Sequence, residues 1–350
     1  MGRRGGGAAR TLDEVAAVVG VSRATVSRVL NGGSASSATR ERVLSALQDT
    51  GYRPNLAARR LASGRSGVIG VVMHVDPHAL FGDPYFSELL QGVTDGLASR
   101  ALGMMVWLGN RTKEETLDHI VAIGLLDGVI VTASALEDPL VDGLLASALP
   151  TVLIGHRRAD RRASYVDVDH AGGAENVTGH LIATGRVRIG HVSGPRGTIA
   201  GEERIAGYRR ALLHAGLEPD ELIVEGDFGA ASGAAGATEL VRRGIDAIFC
   251  ANDAMAAGAL DALHRDGVRV PDDVALAGFD DLAFAADLDP PLTTIRQGVR
   301  EQGAEAARIL FDLVRDPEGT PRRVVLPTEL IVRGSTVANR PAGFDRTNQV

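Results

Sequence analysis

The chain of 350 residues is 45% hydrophobic and 23% charged, with a formal net charge of −7, an ordinary globular composition with room for two or three domains. It holds no run of about 18 apolar residues, no apolar segment behind the positively charged start MGRRGGGAAR, and one cysteine, Cys250 in the run DAIFC. These features argue against a membrane span, a secretory signal and an internal disulfide; they point to the cytoplasm, with Cys250 a buried, inert thiol.

Eleven arginines face four acids in the first 65 residues, a net +7, so the remainder carries −14. A basic head on an acidic body suits a head that meets a polyanion. Residues 1–10 read as a disordered Gly/Arg-rich tail. Thr11-Leu12-Asp13-Glu14 is a T-x-x-E capping box; it opens a helix with Leu12, Val15, Ala16 and Val19 on one side, and Gly20 closes it as a C′ residue. Ser22 caps the next helix. There Val26, Val29 and Leu30 recur at i, i+3, i+4 as a buried face, with Arg23, Ala24, Ser27 and Arg28 on the opposite side. Only Gly20 to Ser22 separate the two helices, the spacing of a helix-turn-helix. After the polar loop GGSASS a third helix over 37–50 turns Val43, Leu44 and Leu47 inward, and Gly51 stops it. Three short helices so packed make an all-α DNA-binding head over 11–54.

Tyr52-Arg53-Pro54-Asn55 is a turn. The stretch LAARRLASGRSG then reads as a hinge helix and linker within 55–66, with almost no apolar face and too short to stand alone in water. From Val68 short apolar runs (VIGVVM, GMMVWL, DGVIVT, TVLIG, RIGHVSG, DAIFCA, DVALAGF) alternate with helical stretches at 84–100, 113–124, 137–147, 171–184, 200–215, 231–243 and 252–266. Alternation of helices with continuous apolar strands means parallel α/β sheets covered on both faces. The units are too many for one small sheet, so two Rossmann-like lobes are expected, with a ligand cleft at the C-terminal ends of the strands. The expected core spans 67–338, one lobe taking about 67–167 and 299–326 and the other about 168–298 and 327–338, with a flexible tail over 339–350.

The order of these parts resembles the lactose/galactose-repressor family of bacterial transcription regulators. The resemblance is carried by TLDEVAAVVGVSRATVSRVLNG and TRERVLSALQDTGYRPNLAARRLASGRSGVIGVV in the head and hinge. In the body it is carried by GDPYFSELLQGV, LLDGVIV, RIAGYRRAL, IFCANDAMAAGAL, VPDDVALAGFDD and DPPLTTIRQ. It covers about 11–338; the head signature is highly specific, whereas the body alone resembles periplasmic sugar-binding proteins equally well. It implies a homodimer on a near-palindromic operator and a two-lobed, periplasmic-binding-protein-like core. That core senses a small molecule and changes DNA affinity, as far as the ligand prefers one state.

The resemblance assigns residues. The second helix of such a head lies in the major groove; arginine can donate two bonds to guanine and alanine can meet a thymine methyl. Arg23 and Ala24 then select the operator and Arg28 reads a common guanine. Thr11, Ser22, Thr25, Ser27 and Asn31 suit phosphate contacts, although Thr11 and Ser22 also serve as helix caps. In the hinge, Leu61 becomes a wedge in the minor groove, with Ala58 beside it and Arg59 and Arg60 toward the backbone; the competing role is packing of Leu61 on the core.

For sensing, the same carry-over gives Asp83, Phe86, Thr132, Asp167, Arg204, Phe228, Asn252 and Asp280. A planar guanidinium, carboxylates and aromatic faces suit a polyhydroxylated ligand, which favours a sugar over a purine or nucleoside. A protein co-repressor is the further alternative. The structural alternatives are that Asn252 and Asp280-Asp281 cap elements, that Phe228 is core, and that Arg204 pairs with Glu202 or Glu203. Gly155-His156 stands where many relatives have Asp, and the loop HVDPHALFG before Asp83 is longer than usual, so no specific sugar can be transferred.

Other classes fit less well. No Walker A, G-x-G-x-x-G, H-E-x-x-H or G-x-S-x-G sequence is present, and the nine histidines are mostly isolated, without metal spacing. No catalytic residue, metal or cofactor is expected. A secreted sugar-binding protein leaves 11–64 unexplained, and an architectural DNA binder leaves the cleft unused. The C-terminal ANRPAGFDRTNQV has no leucine heptad, so a coiled-coil tetramer is not supported.

Overall fold

The structure, a computed structural model, describes residues 11–30, 33–50, 52, 65–73, 75, 77–98, 100, 102–108, 112–132, 135–156, 163–218 and 222–337. The expected tails, Asn31 and the hinge residues Ala58, Arg59, Arg60 and Leu61 lie outside these residues. The chain divides into two compact units, Met1–Ser66 and Gly67–Val350.

In the first unit, α1 (Leu12–Val19), α2 (Arg23–Leu30) and α3 (Ser37–Thr50) enclose a small core of Val15, Val19, Val26, Val29, Val43 and Ala46. The capping box forms in both directions, Glu14 N–H to Thr11 Oγ1 and Thr11 N–H to Glu14 Oε2, each at 3.3 Å. Gly20 ends α1 at a φ of 69°, the left-handed turn that a side chain would resist. Arg42 on α3 donates to the Val19 carbonyl and Arg40 to that of Gly33, so two of the head's arginines satisfy backbone acceptors. Leu44 does not turn inward as expected: it is 48% exposed, and Ala46 is buried instead. At about 100° per residue, Val43, Ala46 and Leu47 define the inner face, and Leu44 falls off its edge.

The second unit alternates strands and helices. Its first half is β1 (Val68–Met73), α4 (Pro77–Gly82), α5 (Pro84–Leu97), β2 (Gly103–Leu108), α6 (Lys113–Ile123), β3 (Gly128–Thr132), α7 (Pro139–Ala146), β4 (Thr151–Ile154) and β5 (Ser164–Val168). Its second half is α8 (His170–Ala183), β6 (Ile189–Ser193), α9 (Ile199–His214), β7 (Ile223–Glu225), α10 (Ala230–Arg242), β8 (Ala247–Cys250), α11 (Asp253–Arg265) and β9 (Ala275–Ala277). The chain then returns through β10 (Thr294–Arg296), α12 (Val299–Arg315), β11 (Arg323–Leu326) and β12 (Glu329–Ile331).

Two parallel sheets result, a six-stranded one in the order β11-β5-β4-β3-β1-β2 and a four-stranded one in the order β7-β6-β8-β9. β10 and β12 pair antiparallel as a separate two-stranded sheet. β3 carries Val129, Ile130 and Val131, each no more than 1% exposed, because helices cover both sheet faces. Cys250 is fully buried in β8, and burial pushes its thiol up, out of reactive range. Seven elements depart from the sequence expectation, the helices α4 and α12 and the strands β5, β7, β10, β11 and β12. The long loop before Asp83 contains the helix α4, while β5 and β11 have no continuous apolar run to announce them.

Glycines set the helix packing. A Cβ on Gly92 of α5 would collide with the Arg300 carbonyl of α12, one on Gly207 of α9 with that of Ala171 of α8, and one on Gly258 of α11 with that of Ala230 of α10. Each pair of neighbouring helices therefore meets backbone to backbone. Gly258→Ala is expected to destabilise the core by about 1–3 kcal/mol, because packed carbonyls must separate. Gly179→Ala, on α8 where a Cβ would meet nothing within 4 Å, should stabilise by about 0.5–1 kcal/mol. Denaturant unfolding of the two variants checks both signs.

Candidate DNA interface and effector site

The outward face of α2 carries Arg23, Ala24 and Arg28, all exposed. Arg23 Nη1 lies 3.5 Å from Asp13 Oδ2 at the surface. Ser22 caps the helix: Thr25 N–H donates to its Oγ at 3.1 Å, and the two hydroxyls share a hydrogen bond of 2.9 Å. Thr11 caps α1, and Ser27 is half-buried on α2.

The second constellation gathers where the strands of both sheets end. Arg204, on α9, is 3% exposed. Its guanidinium lies 3.7 Å from the centre of the Phe279 ring. One Nη donates to the Ala251 carbonyl, the other to His170 Nδ1 at 3.2 Å, and the latter is 3.8 Å from Asp280 Oδ1. Its Nε–H has no protein acceptor among the described residues. Burial disfavours the Arg204 charge, and Asp280 does most to restore it. Asp280 is 5% exposed and accepts from Gln297 Nε2. Burial pushes its carboxyl well above the usual range, against the pull of Arg204.

Asp280 and Asp281 both take positive φ, 125° and 60°. This strained turn sends the adjacent carboxylates apart. Asp281 binds Arg296 at 2.8 Å and Arg333 at 2.6 Å. Asp253, fully buried at the start of α11, accepts from Thr294 Oγ1 at 2.5 Å and Leu282 N–H at 2.9 Å; burial still pushes its carboxyl up to about 7.

From the first sheet, Asp83 caps α5 by accepting Tyr85 N–H at 2.9 Å, and burial raises its carboxyl. Burial likewise pushes the Tyr85 hydroxyl up, and the charges of Asp280, Arg204, Asp167 and Asp83 all act on it. Tyr85 thus stands within the field of residues from both sheets. Phe86 meets Tyr85 edge to face at 5.3 Å and packs on the first core. Asp167 on β5 is 1% exposed. Burial alone would raise its carboxyl, but hydrogen bonds from His156 and His170 outweigh it and hold the group well below the usual carboxylate range.

The structure thus brings Arg204, Asp280, Asp167 and Asp83 into one electrostatic cluster. Phe228 and Asn252 are joined to each other, Asn252 Nδ2 donating to the Phe228 carbonyl at 2.9 Å while its Oδ1 caps α11. They adjoin the cluster through Ala251. Thr132 ends β3 half-buried and joins none of these groups among the described residues.

One structural alternative is overturned. Arg204 does not pair with its neighbours: Glu202 reaches Arg196 at 3.7 Å and Glu203 approaches His156 at 3.6 Å. Two of the nine histidines are not isolated, because His156 and His170 converge on Asp167. Tyr85, His170, Phe279 and Gln297 were not singled out in the sequence. The signals were present: a tyrosine two residues past a helix cap, and Asp167-x-x-His170 spanning a strand end.

Among the described residues no group of His, Cys, Asp or Glu could hold a metal ion, and no helix is long and apolar enough to cross a membrane. The profile described as bacterial regulatory proteins, lacI family, matches residues 11–55, and that of the periplasmic binding protein-like domain matches 178–336. The HTH-type transcriptional regulator CelR of Thermobifida fusca is 40% identical over 93% of this chain and 98% of its own length. The chain belongs to the LacI family. It is a DNA-binding transcriptional regulator with a helix-turn-helix head and an α/β core of parallel sheets. The solved CelR–cellobiose complex matches with a TM-score of 0.74 at 39% identity, over 93% of this chain and 99% of that one. The lac repressor dimer bound to operator and the anti-inducer ONPF matches with a TM-score of 0.82 at 29% identity, over 94% and 99%.

Removing one member of the buried pair tests its energetics. Arg204→Met leaves Asp280 buried without its cation and is expected to destabilise the core by about 3–5 kcal/mol in denaturant unfolding. Adding Asp280→Leu should recover most of that loss. A double variant as unstable as Arg204→Met alone would show that the two charges are not coupled.

Proposed function

We propose that this LacI-family regulator is a repressor whose operator affinity is set by a sugar held between two lobes. The observation that carries this is the meeting of a buried guanidinium, two carboxylates with raised pKa and a tyrosine hydroxyl, contributed from both sheets. Such a set offers donors and acceptors in several directions, as a polyhydroxylated ligand requires, and the unsatisfied Arg204 Nε–H is one donor more. The cellobiose in the CelR complex supports the same ligand class. Asp83, Arg204 and Asp280 contact the sugar directly, with Phe86, Phe228, Asn252 and Thr132 around them.

The protein works as a homodimer in the cytoplasm and catalyses no reaction. The lobes comprise about 67–167 with 299–326, and 168–298 with 327–338. Sugar binding changes how the lobes meet, and the hinge residues 55–66 carry that change to the head. In the head, Arg23 and Ala24 discriminate between operators and Arg28 reads a guanine. Thr11, Ser22, Thr25, Ser27 and Asn31 hold phosphates. Leu61 wedges into the minor groove beside Ala58, with Arg59 and Arg60 on the backbone.

Fluorescence anisotropy with DNA from upstream of the protein's own gene, with and without a panel of sugars including cellobiose, tests the sensor. One sugar is expected to change the affinity of the specific complex. If none does while nucleosides or a protein co-repressor do, the sugar assignment falls. Arg28→Ala should cost about 1–3 kcal/mol on the specific site and little on random DNA. Equal loss on both would make Arg28 a phosphate contact only.

A further inference from the structure

Two imidazoles in the site have no task in the sugar reading, and both are built around one carboxylate. Asp167 Oδ2 lies 2.5 Å from His156 Nδ1; its Oδ1 lies 3.1 Å from His170 Nε2 and accepts Val168 N–H at 2.8 Å. Three of its roughly four acceptor positions are therefore engaged inside the protein. Each ring continues to α9, and to consecutive residues there. His156 Nε2 is 3.6 Å from Glu203 Oε1, and His170 Nδ1 is 3.2 Å from Arg204 Nη2. A carboxylate on the first sheet is thus tied twice to one helix of the second.

The tautomer of His170 follows from its partners. A guanidinium has only donors, so Nδ1 must be the bare, accepting nitrogen. The ring proton then sits on Nε2 and is donated to Asp167, which has only lone pairs to offer. Protonating His170 would remove the acceptor and set a second cation against Arg204. Burial lowers the pKa of His170 and Arg204 adds to that, whereas Asp167 opposes it.

We infer that Asp167 and His170 are positioning residues for the effector-binding Arg204, with Asp167 fixing the tautomer of His170 and His170 holding the guanidinium on Phe279. This rests on the sugar reading of the site and gives Asp167, a sensing candidate in the sequence, a part that runs through Arg204 rather than through contact with the ligand. The path also crosses from one sheet to the other, so a shift between them alters how Arg204 is held.

Two measurements on the full-length protein test this. Side-chain ¹⁵N spectroscopy of the ligand-free protein at neutral pH should find His170 with Nε2 protonated and Nδ1 bare. Asp167→Leu, which removes the acceptor facing Nε2, should let the Nδ1–H tautomer appear. An imidazolium or an Nδ1–H tautomer in the wild type, or an unchanged tautomer in the variant, overturns the inference. In calorimetry with cellobiose, or the panel sugar that binds most tightly, His170→Phe keeps the volume but removes the acceptor, and should weaken binding by about tenfold or more. His170→Asn retains an acceptor near the Nδ1 position and should lose much less. Equal losses in both, or none in either, count against it. If the wild type binds no sugar of the panel, the sugar reading fails, while the spectroscopic signature still decides how Arg204 is held.

Discussion

Burying Arg204 obliges the fold to supply acceptors, and they come from separate stretches of the chain. Ala251 lies at the end of β8, Asp280 beyond β9, and His170 at the start of α8. A lone guanidinium in a low-dielectric interior is expensive, and an Arg with these partners is tolerable only while all of them stay in place. The C-terminal ends of the strands therefore cannot drift independently. The positive φ values of Asp280 and Asp281 belong to the same constraint. One carboxylate must face the buried arginine, while the next secures Arg296 at the end of β10 and Arg333 just past β12.

The remainder of each lobe is built to be stiff. Helix pairs α5–α12, α8–α9 and α10–α11 meet through glycines set against backbone carbonyls, a contact that cannot slide without collision. Packed units of this kind move as bodies, and the motion collects in the connections between them. The chain passes between the two sheets at 168–170, 296–299 and 326–329. Asp167 and His170 flank the first passage, and Gln297, which donates to Asp280, sits in the second. The charged site and the connections between the two sheets thus share residues.

Periodicity and apolar runs made the head, both parallel sheets and most helices legible, because those features depend on local burial. Most of the elements that escaped have weak local signals; α12 is the exception, an amphipathic helix with Val299, Ala306, Ile309 and Leu310 on its buried face. SYVDV and RVVL become strands β5 and β11 because the first sheet lies open beside them. Leu44 was assigned inward because it is apolar, but three neighbours closer to the axis of the face take the space. In the site, Arg204, Asp280 and Asp167 came from the family resemblance, but His170, Phe279 and Gln297, which hold them, did not. Nothing in RIAGY indicates that Arg204 turns away from Glu202 and Glu203 toward His170, because that choice is made by Phe279, some 75 residues away in the chain. Likewise no spacing brings His156 and His170 together; the carboxylate between them does.

The head presents a different question, whether a residue that caps a helix can also meet DNA. Ser22 Oγ accepts Thr25 N–H and shares one further hydrogen bond with Thr25 Oγ1. Two hydroxyls joined by one bond use only one of their two protons, so the other remains for an outside acceptor. That proton sits at the N-terminus of α2, where unpaired N–H groups and the helix dipole already favour an anion. Arg23, one residue on, adds a positive charge at the surface that Asp13 partly offsets. The observed cap and the proposed phosphate contact are therefore compatible uses of the same hydroxyl pair, and the cap holds that pair at the end of α2 in advance of DNA.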